Sequence, residues 1–181
     1  MILKVGYQGI PGAYSHEMCE LWLPAYEAVG FESFHAVLDA FKAGEVNKAI
    51  LPIRNSSVGA VEGVQELLEE YKITPAEERA LAIDHKLMAP QNSSLAMVTE
   101  VWSHRQALKQ CRDNLKRHGF LIKDVGDTAG GAQKVANEND PTIAAIASAK
   151  AAELYGLTIL DANIRDQGDN ETTFVLCKKE S

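Results

Sequence analysis

The chain has 181 residues, of which 46% are hydrophobic and 24% charged, and its formal net charge is −7. This length allows one sizeable core or two small ones, and the acidic balance disfavours a nucleic-acid partner, for which a basic stripe is expected. No apolar run approaches the roughly 20 residues of a membrane span, and "MILKVGYQG" lacks a signal-peptide pattern. We therefore expect a globular, cytoplasmic protein with no membrane partner.

Strand-like runs alternate with helical patterns along the first part of the chain. The pairs are "ILKVGY" and "GAYSHEMCELW", "AVGFESF" and "AVLDAFKAG", and "KAILPI" and "VGAVEGVQELLEEY". One face of the third helix is apolar, formed by Val61, Val64, Leu67, Leu68 and Tyr71. The alternation returns from "LAMVTEVW" to "AKAAELYG", where Gly119 and Gly156 are placed to end helices. This order predicts an α/β fold with largely parallel strands.

A long segment, "KITPAEERALAIDHKLMA", separates the two series and has neither a helical period nor loop composition. We interpret it as an extended crossover into a second lobe. The closing segments "LTILDANIRD" and "NETTFVLCKK" have strand composition with no helix between them, which favours a return to the first lobe. The predicted division is residues 1–76 plus 166–181 in the first lobe and residues 77–165 in the second.

Four predicted strand-to-helix turns carry small polar residues: "GIPGAYS", "NSSVG", "SHRQ" and "DTAGG". Ligands of open α/β sheets bind at such turns, where helix N-termini present free N–H groups to anions. Glycine, serine and aspartate are also ordinary turn and cap residues, so each motif alone has a purely structural interpretation.

The turn "SHRQ" resembles a capping box, with Ser103 as the cap and Gln106 reaching back. This would place His104 and Arg105 in the first helical turn, where cations oppose the helix dipole. A bound anion would reverse that penalty. The alternative is that the side chains of His104 and Arg105 simply point into water and bind no ligand. In "DTAGG", either Asp127 or Thr128 would be the cap.

Other kinds of chemistry lack a motif. The sequence has no G-x-G-x-x-G or G-K-[ST] pattern for a nucleotide, no His-x-x-x-His metal pair and no Ser-His-Asp constellation that spacing supports. Cys19, Cys111 and Cys177 lie far apart, so we expect reduced, buried thiols. His85 alternates with apolar neighbours and is interpreted as structural.

Taken together and in order, these motifs resemble prephenate dehydratase. "VGYQGIPGAYS" is similar to its opening glycine loop, "AILPIRNSSVGAV" to its L-P-I-E-N-S segment, "SHRQALKQC" to S-H-P-Q-A-L-x-Q-C, and "DTAGGA" to its D-T-A block. The stretch "AAIASAKAAELYGLTILDANIRDQGDNETTF" resembles its closing segment, which ends in T-R-F. The resemblance covers nearly the whole chain, and the opening is especially similar to plant-type arogenate dehydratases.

The resemblance implies a two-lobed α/β fold of the periplasmic-binding-protein-like (type II) class, with the active site in the inter-lobe cleft, and a homodimer or homotetramer. It implies that prephenate, without a cofactor or metal, loses carbon dioxide and its ring hydroxyl to give phenylpyruvate in phenylalanine biosynthesis. Thr172 matches the threonine proposed as the acid. The matching substrate-binding positions are Asn55, Ser56, Ser103, His104, Gln106, Thr128, the backbone of Ala129, and Phe174.

Two departures from the family pattern concern charge. Thr173 stands where T-R-F has an arginine that is expected to bind a substrate carboxylate, and Arg54 stands where the family has glutamate before Asn-Ser. Arg105 also replaces a common proline. We hypothesise that Arg54, or alternatively Arg105, replaces the missing guanidinium, since an arginine can bind a carboxylate bidentately. The alternative is that Arg54 pairs with a surface acid.

Other activities stay open on the sequence. The same cleft could act on arogenate, decarboxylate prephenate without aromatising it, or bind a small anion without chemistry. The chain continues only as "VLCKKES" after Phe174, so we expect a catalytic domain without the regulatory ACT domain that the family often carries.

Overall fold

The computed structural model describes residues 1–179, which form two compact units. The first unit contains Met1–Ile10, Tyr14–Ile83 and the described residues from 169 onward. The second unit contains Pro11–Ala13 and Asp84–Gly168.

The described residues form eleven strands and seven helices. The strands are β1 (Lys4–Gln8), β2 (Glu27–Phe31), β3 (Lys48–Asn55), β4 (Gly59–Ala60), β5 (Glu77–Ala82), β6 (Lys86–Ala89), β7 (Glu100–Ser103), β8 (Leu121–Asp124), β9 (Ile143–Ala147), β10 (Thr158–Asp161) and β11 (Glu171–Lys178). The helices are α1 (Tyr14–Trp22), α2 (Phe34–Ala43), α3 (Val64–Glu70), α4 (Arg105–Gln110), α5 (Arg112–His118), α6 (Thr128–Glu138) and α7 (Ala149–Tyr155).

The sheet of the first unit is mixed. Its strand order is β2-β1-β3-β11-β5, and β4 pairs with β3. β1 runs parallel to β2 and β3, as predicted, whereas β11 runs antiparallel to both β3 and β5. The last strand of the described residues therefore lies inside a sheet whose other members all precede residue 83.

Both unit boundaries lie later than predicted. Residues 77–82 were expected in the second lobe, but they form β5, which pairs with β11 along its length. Asp166 was expected in the first lobe, but its backbone N donates to Gln110 O at 2.9 Å and its carboxylate accepts from the backbone N of Asp113 and Asn114. These hydrogen bonds keep the segment before residue 169 in the second unit.

Helices α2 and α3 cover one face of the first sheet. Ser33 caps α2 by accepting from Ala36 N at 3.1 Å, and Gly44 ends it at φ 81°. The predicted apolar face of the third helix is confirmed, since Val64, Leu67 and Leu68 are buried in this core and Val61 and Tyr71 pack against it. The helix itself is shorter than predicted and begins after Gly63, whose φ of 79° is left-handed.

The second unit has its own sheet, with the order β10-β6-β9-β7-β8. The pattern "HRQALKQCRDNLKRH" predicted one helix, but it forms α4 and α5, which are separated at Cys111 (φ −113°). The Asp166 carboxylate explains the break, because it caps the first N–H groups of α5. Within residues 1–179, no helix is long and apolar enough to cross a membrane.

The three cysteines are free and buried, as the sequence predicts. Burial raises the pKa of the thiols of Cys19, Cys111 and Cys177 to about 12. Because the thiolate is the reactive form, these side chains act as small apolar core residues.

Candidate active site

The ends of β3 and β11 place four residues discussed above side by side. In the antiparallel register Asn55 lies opposite Thr172, and Arg54 lies opposite Thr173. Side chains alternate between the two faces of a strand, so Asn55 and Thr172 share one face while Arg54 and Thr173 share the other. The predicted acid and the predicted replacement cation therefore lie on opposite faces of the sheet.

The side-chain amide of Asn55 is bonded at both ends. Its Oδ1 accepts from Ser57 N at 2.8 Å, and its Nδ2 donates to Thr172 Oγ1 and to Asn170 Oδ1, each at 2.9 Å. The amide nitrogen has two hydrogens, and both are used. Thr172 is 9% exposed, and its own hydroxyl proton has no acceptor among residues 1–179. Thr172 can therefore donate a proton to a bound molecule while the Asn55 N–H stabilises the oxygen that loses it.

Asn170 is a site residue that the sequence analysis missed. It is 5% exposed, its Oδ1 accepts from Asn55, and its buried Nδ2 has no hydrogen-bond partner within the described residues. A buried donor left unsatisfied costs roughly 1–3 kcal/mol, and such groups are rare in native proteins. The signal for it was the two-residue spacing of Asn170 and Thr172 in "NETTF", which places both side chains on one face of a strand.

Ser56 joins the end of β3 to the start of β11. Its backbone N donates to Glu171 O at 2.9 Å, its Oγ accepts from Glu171 N at 2.9 Å, and the same hydroxyl donates to Asp169 O at 3.4 Å. Phe174, two residues beyond Thr172, is 1% exposed and packs inside the unit. Both residues support the backbone around Thr172, and their predicted contacts with substrate stay predictions.

Arg54 has a partner within the first unit. Its Nη2 lies 2.8 Å from Glu78 Oε2, and the two side chains are 55% and 48% exposed. Glu78 lies on β5 opposite Val175, so this ion pair spans β11 on the face that carries Thr173. The geometry matches the alternative of a surface acid, and the role of Arg54 as a carboxylate ligand stays a prediction that these contacts do not support.

The same register pairs the two positions at which the charge departs from the family pattern. A glutamate at position 54 and an arginine at position 173 would lie directly opposite each other on β3 and β11. Directly opposed, oppositely charged side chains stabilise antiparallel strands. A Glu–Arg pair at these positions therefore has a structural role that needs no substrate, and this chain, with Arg54 opposite the neutral Thr173, lacks that pair.

The "SHRQ" turn in the second unit differs from the predicted capping box. Ser103 is the last residue of β7, fully buried, and its Oγ donates to Ile146 O at 2.6 Å. The cap is His104, whose Nδ1 accepts from Gln106 N at 3.0 Å. The prediction that Ser103 caps the helix was therefore wrong. Because Nδ1 of His104 accepts, Nε2 carries the proton of the neutral ring and can donate. Arg105 is the first residue of α4 and is exposed.

The N-terminus of α6 is also in the second unit. Asp127 is the cap and accepts from Gly130 N at 2.9 Å through its carboxylate. Asp127 O accepts from Gly131 N at 3.1 Å. The backbone N–H groups of Thr128 and Ala129 have no acceptor among residues 1–179, so they can bind an anion at the positive end of this helix.

The "GIPGAYS" turn has a structural role in the second unit. Gly12 has φ 95°, and a Cβ there would lie 3.0 Å from Ala151 Cα. Ser148 Oγ donates to Gly12 O at 2.7 Å, and the Tyr155 hydroxyl donates to Pro11 O. Glycine is therefore required by the close approach of this turn to α7.

The described residues contain no group of three or more His, Cys, Asp or Glu side chains that could bind a metal ion. The expectation of a cofactor-free reaction stays a prediction. His85 is 2% exposed and its Nε2 lies 2.6 Å from Gln110 Oε1. Burial lowers its pKa below the ordinary value of 6.5, against the opposing effect of the Gln110 hydrogen bond.

Comparison with known proteins places these features in a family. The sequence profile described as "Prephenate dehydratase" matches residues 5–181. The chain is 39% identical over 178 residues to the Arabidopsis thaliana protein named arogenate dehydratase/prephenate dehydratase 2, chloroplastic, an overlap of 98% of this chain and 47% of that one. The chain thus spans about half the length of the curated plant relatives it matches.

Two solved structures have similar folds. One, described as GqqA, a novel type of quorum quenching acylases, is 31% identical with a TM-score of 0.91, over 98% of this chain and 64% of that one. The prephenate dehydratase of Staphylococcus aureus is 24% identical with a TM-score of 0.84, over 99% of this chain and 67% of that one. The predicted α/β fold of the periplasmic-binding-protein-like type II class is thereby confirmed. The chain belongs to the prephenate dehydratase family.

Proposed function

We propose that this chain catalyses the decarboxylating dehydration of prephenate to phenylpyruvate, as a carbon–oxygen lyase of phenylalanine biosynthesis. Family membership supports this activity. The observation that carries it is the 2.9 Å hydrogen bond from Asn55 Nδ2 to Thr172 Oγ1, which leaves the threonine proton for another acceptor.

The reaction consumes one proton. The bond between the ring and its carboxylate breaks, carbon dioxide leaves, and the electron pair enters the ring, which becomes aromatic as the bond to the hydroxyl breaks. The departing hydroxide takes a proton and leaves as water. We assign that proton to Thr172, whose alkoxide is stabilised by Asn55 Nδ2 and regains a proton from solvent. A positioned acid of this kind contributes about 10²- to 10⁴-fold.

Prephenate has two carboxylates, which need hydrogen-bond donors. The second unit offers the N–H groups of Thr128 and Ala129, the Nε2–H of His104, the half-buried amide of Gln106 and the exposed cation of Arg105. We propose the α6 N-terminus as a carboxylate ligand, because it combines a helix dipole with N–H groups that no described residue accepts from. His104, Gln106 and Arg105 are proposed as further donors.

The activity is tested by incubating the protein with prephenate at neutral pH and measuring phenylpyruvate by its enol absorbance in alkali. Thr172→Val serves as the matched control, since it keeps the shape of the side chain and removes the hydroxyl. Product above the buffer blank for the wild type, and a large loss in the variant, supports the proposal. An inactive wild type on both prephenate and arogenate would refute it.

Arogenate is a second candidate substrate, because the Arabidopsis relative is named as an arogenate and prephenate dehydratase. A parallel incubation with arogenate, analysed for phenylalanine, compares kcat/KM for the two substrates. Carbon dioxide release without an aromatic product would indicate non-aromatising decarboxylation. Binding measured by calorimetry, with the substrate recovered unchanged, would indicate a small-anion binding protein.

The hydroxyl groups of the described residues do not support, for this chain, an acylase activity like the one named for the GqqA structure. A serine nucleophile needs an adjacent base, but Ser56 Oγ bonds to main-chain atoms and Ser103 Oγ donates to Ile146 O. Thr172 accepts from the amide of Asn55, which is not a base. These contacts favour proton donation over acyl transfer.

We also propose that the protein forms a homo-oligomer. β5 lies at the edge of the first sheet, and five of its six residues are exposed. An exposed edge strand presents unpaired backbone groups that can pair with a second copy. Light scattering that gives the mass of a single chain at micromolar concentration would contradict this.

A further inference from the structure

We infer that Asn170 is a positioning residue that determines the direction in which the Thr172 hydroxyl proton points. This inference rests on the proposed function, because it concerns the acid of that reaction. It starts from the hydrogen bond of Asn170 Oδ1 with Asn55 Nδ2 and from the unpartnered Nδ2 of Asn170.

The main chain around Asn170 is fixed from two strands. Its carbonyl accepts from Ile83 N, the residue after β5, at 2.8 Å. Ser56, which follows the end of β3, bonds to the main chain on either side of Asn170. It donates to Asp169 O and Glu171 O and accepts from Glu171 N. The Asn170 side chain therefore starts from a backbone position that both neighbouring strands define.

The side-chain oxygen Oδ1 of Asn170 controls the orientation of the Asn55 amide. One hydrogen of Asn55 Nδ2 is directed to Asn170 Oδ1, and the other is directed to Thr172 Oγ1. If the amide turned over, its Oδ1 would face Thr172 and accept the threonine proton. Thr172 would then donate to Asn55 and have no proton for the departing hydroxide. Ser57 N favours the observed orientation from the other end of the amide, at 2.8 Å from Oδ1.

The chemistry of the position favours asparagine over its two isosteres. Leucine would remove both the unsatisfied donor and the acceptor for Asn55. Aspartate would keep an acceptor, but a carboxylate beside Thr172 would oppose the negative charge that develops on Oγ1. Asparagine supplies an acceptor without a charge, and its second amide group is buried without a partner among residues 1–179. A residue chosen for stability alone would not leave that donor unsatisfied.

The test compares Asn170→Leu, Asn170→Asp and a control in the second unit, Asn114→Leu. Asn114 Nδ2 donates to Ile164 O and Arg165 O at 2.9 and 3.2 Å, so the control removes a structural amide far along the chain from Thr172. We measure kcat and KM with prephenate, or with arogenate if that substrate is preferred, together with Tm. We expect Asn170→Leu to lower kcat at least tenfold with KM within threefold and Tm unchanged or raised. Asn114→Leu should lower Tm and keep kcat within threefold.

Asn170→Asp provides a second readout that does not depend on how Asn170→Leu folds. A protonated aspartic acid is neutral and nearly isosteric with asparagine, whereas the ionised form adds charge beside Thr172. We expect the ratio of kcat in this variant to wild-type kcat, after subtraction of the uncatalysed rate, to be at least tenfold higher at pH 5.5 than at pH 8. The exposed carboxylates of Asp169 and Glu171 are common to both proteins and cancel in this ratio.

Two results would overturn the inference while the dehydratase activity stands. One is a kcat loss below threefold in Asn170→Leu with a fall in Tm like that of Asn114→Leu. The other is a constant ratio for Asn170→Asp between pH 5.5 and 8. A wild-type protein that forms no aromatic product from either substrate would instead refute the proposed function itself.

Discussion

Replacing Arg54 by alanine separates its two candidate roles. As a partner of Glu78, Arg54 forms an ion pair of 2.8 Å between side chains that are 55% and 48% exposed. Pairs this exposed contribute about 0.2–1 kcal/mol, because water screens the charges and ordering the side chains costs entropy. For a protein of this length, about 1 kcal/mol corresponds to roughly 2–4 °C in Tm. We therefore expect Arg54→Ala to lower Tm by at most about 4 °C.

The effect on catalysis should be small, since Arg54 and Thr172 lie on opposite faces of the sheet. We expect kcat/KM for Arg54→Ala to stay within threefold of the wild type, and Glu78→Ala to cause a similar fall in Tm. Both shifts in Tm should shrink in about 1 M salt. Thermal unfolding and steady-state kinetics on the same preparations provide the measurement. A tenfold loss in kcat/KM, or about 1.4 kcal/mol, with Tm unchanged would refute this reasoning and support Arg54 as the substrate cation.

Three further predictions concern other parts of the chain. Thr172→Val should lower kcat by about 10²- to 10⁴-fold with little change in KM, while Thr172→Ser should retain activity within about tenfold of the wild type. Thr173→Arg should destabilise the fold by about 0.2–1 kcal/mol, because it places a second cation opposite Arg54. Adding Arg54→Glu should recover that loss when the free energy of unfolding is measured in urea. If the effects of the two single changes simply add in the double variant, the cross-strand explanation is contradicted. Because burial lowers the pKa of His85, the unfolded chain binds more protons below pH 6.5. Stability should therefore fall as pH drops below about 6.5, and a pH profile unchanged by His85→Gln would contradict this.

Sequence patterns predicted the features of the fold that depend only on residues close together in the chain. The buried face of α3 and the glycines that end α5 and α7 follow from spacing and backbone conformation within one turn. The division of the helix at Cys111 could not be predicted in that way, because the capping carboxylate of Asp166 is 53 residues from Asp113. Its residue type identifies Asp166 as polar, but no local pattern places it at that helix.

The candidate site shows the same limit. The family resemblance identified Asn55 and Thr172, but the hydrogen bond between them joins residues 117 apart and depends on the register of β3 with β11. The same register assigns Arg54 to the opposite face, which neither motif nor charge could show. Asn170 was missed because an asparagine before a strand is an ordinary turn residue until its unpartnered amide is seen in a buried position.

The position of β11 between β3 and β5 also determines the order in which the protein can be assembled during synthesis. Residues 84–168 leave the ribosome before Glu171, so the five strands of the second sheet can pair while the first sheet still lacks the strand that joins β5 to β3. In that interval β3 and β5 present unpaired backbone edges, which are sites of association with other chains. Thr172 lies on the strand that closes this gap, so the proposed acid enters the sheet in the same step that pairs these two edges.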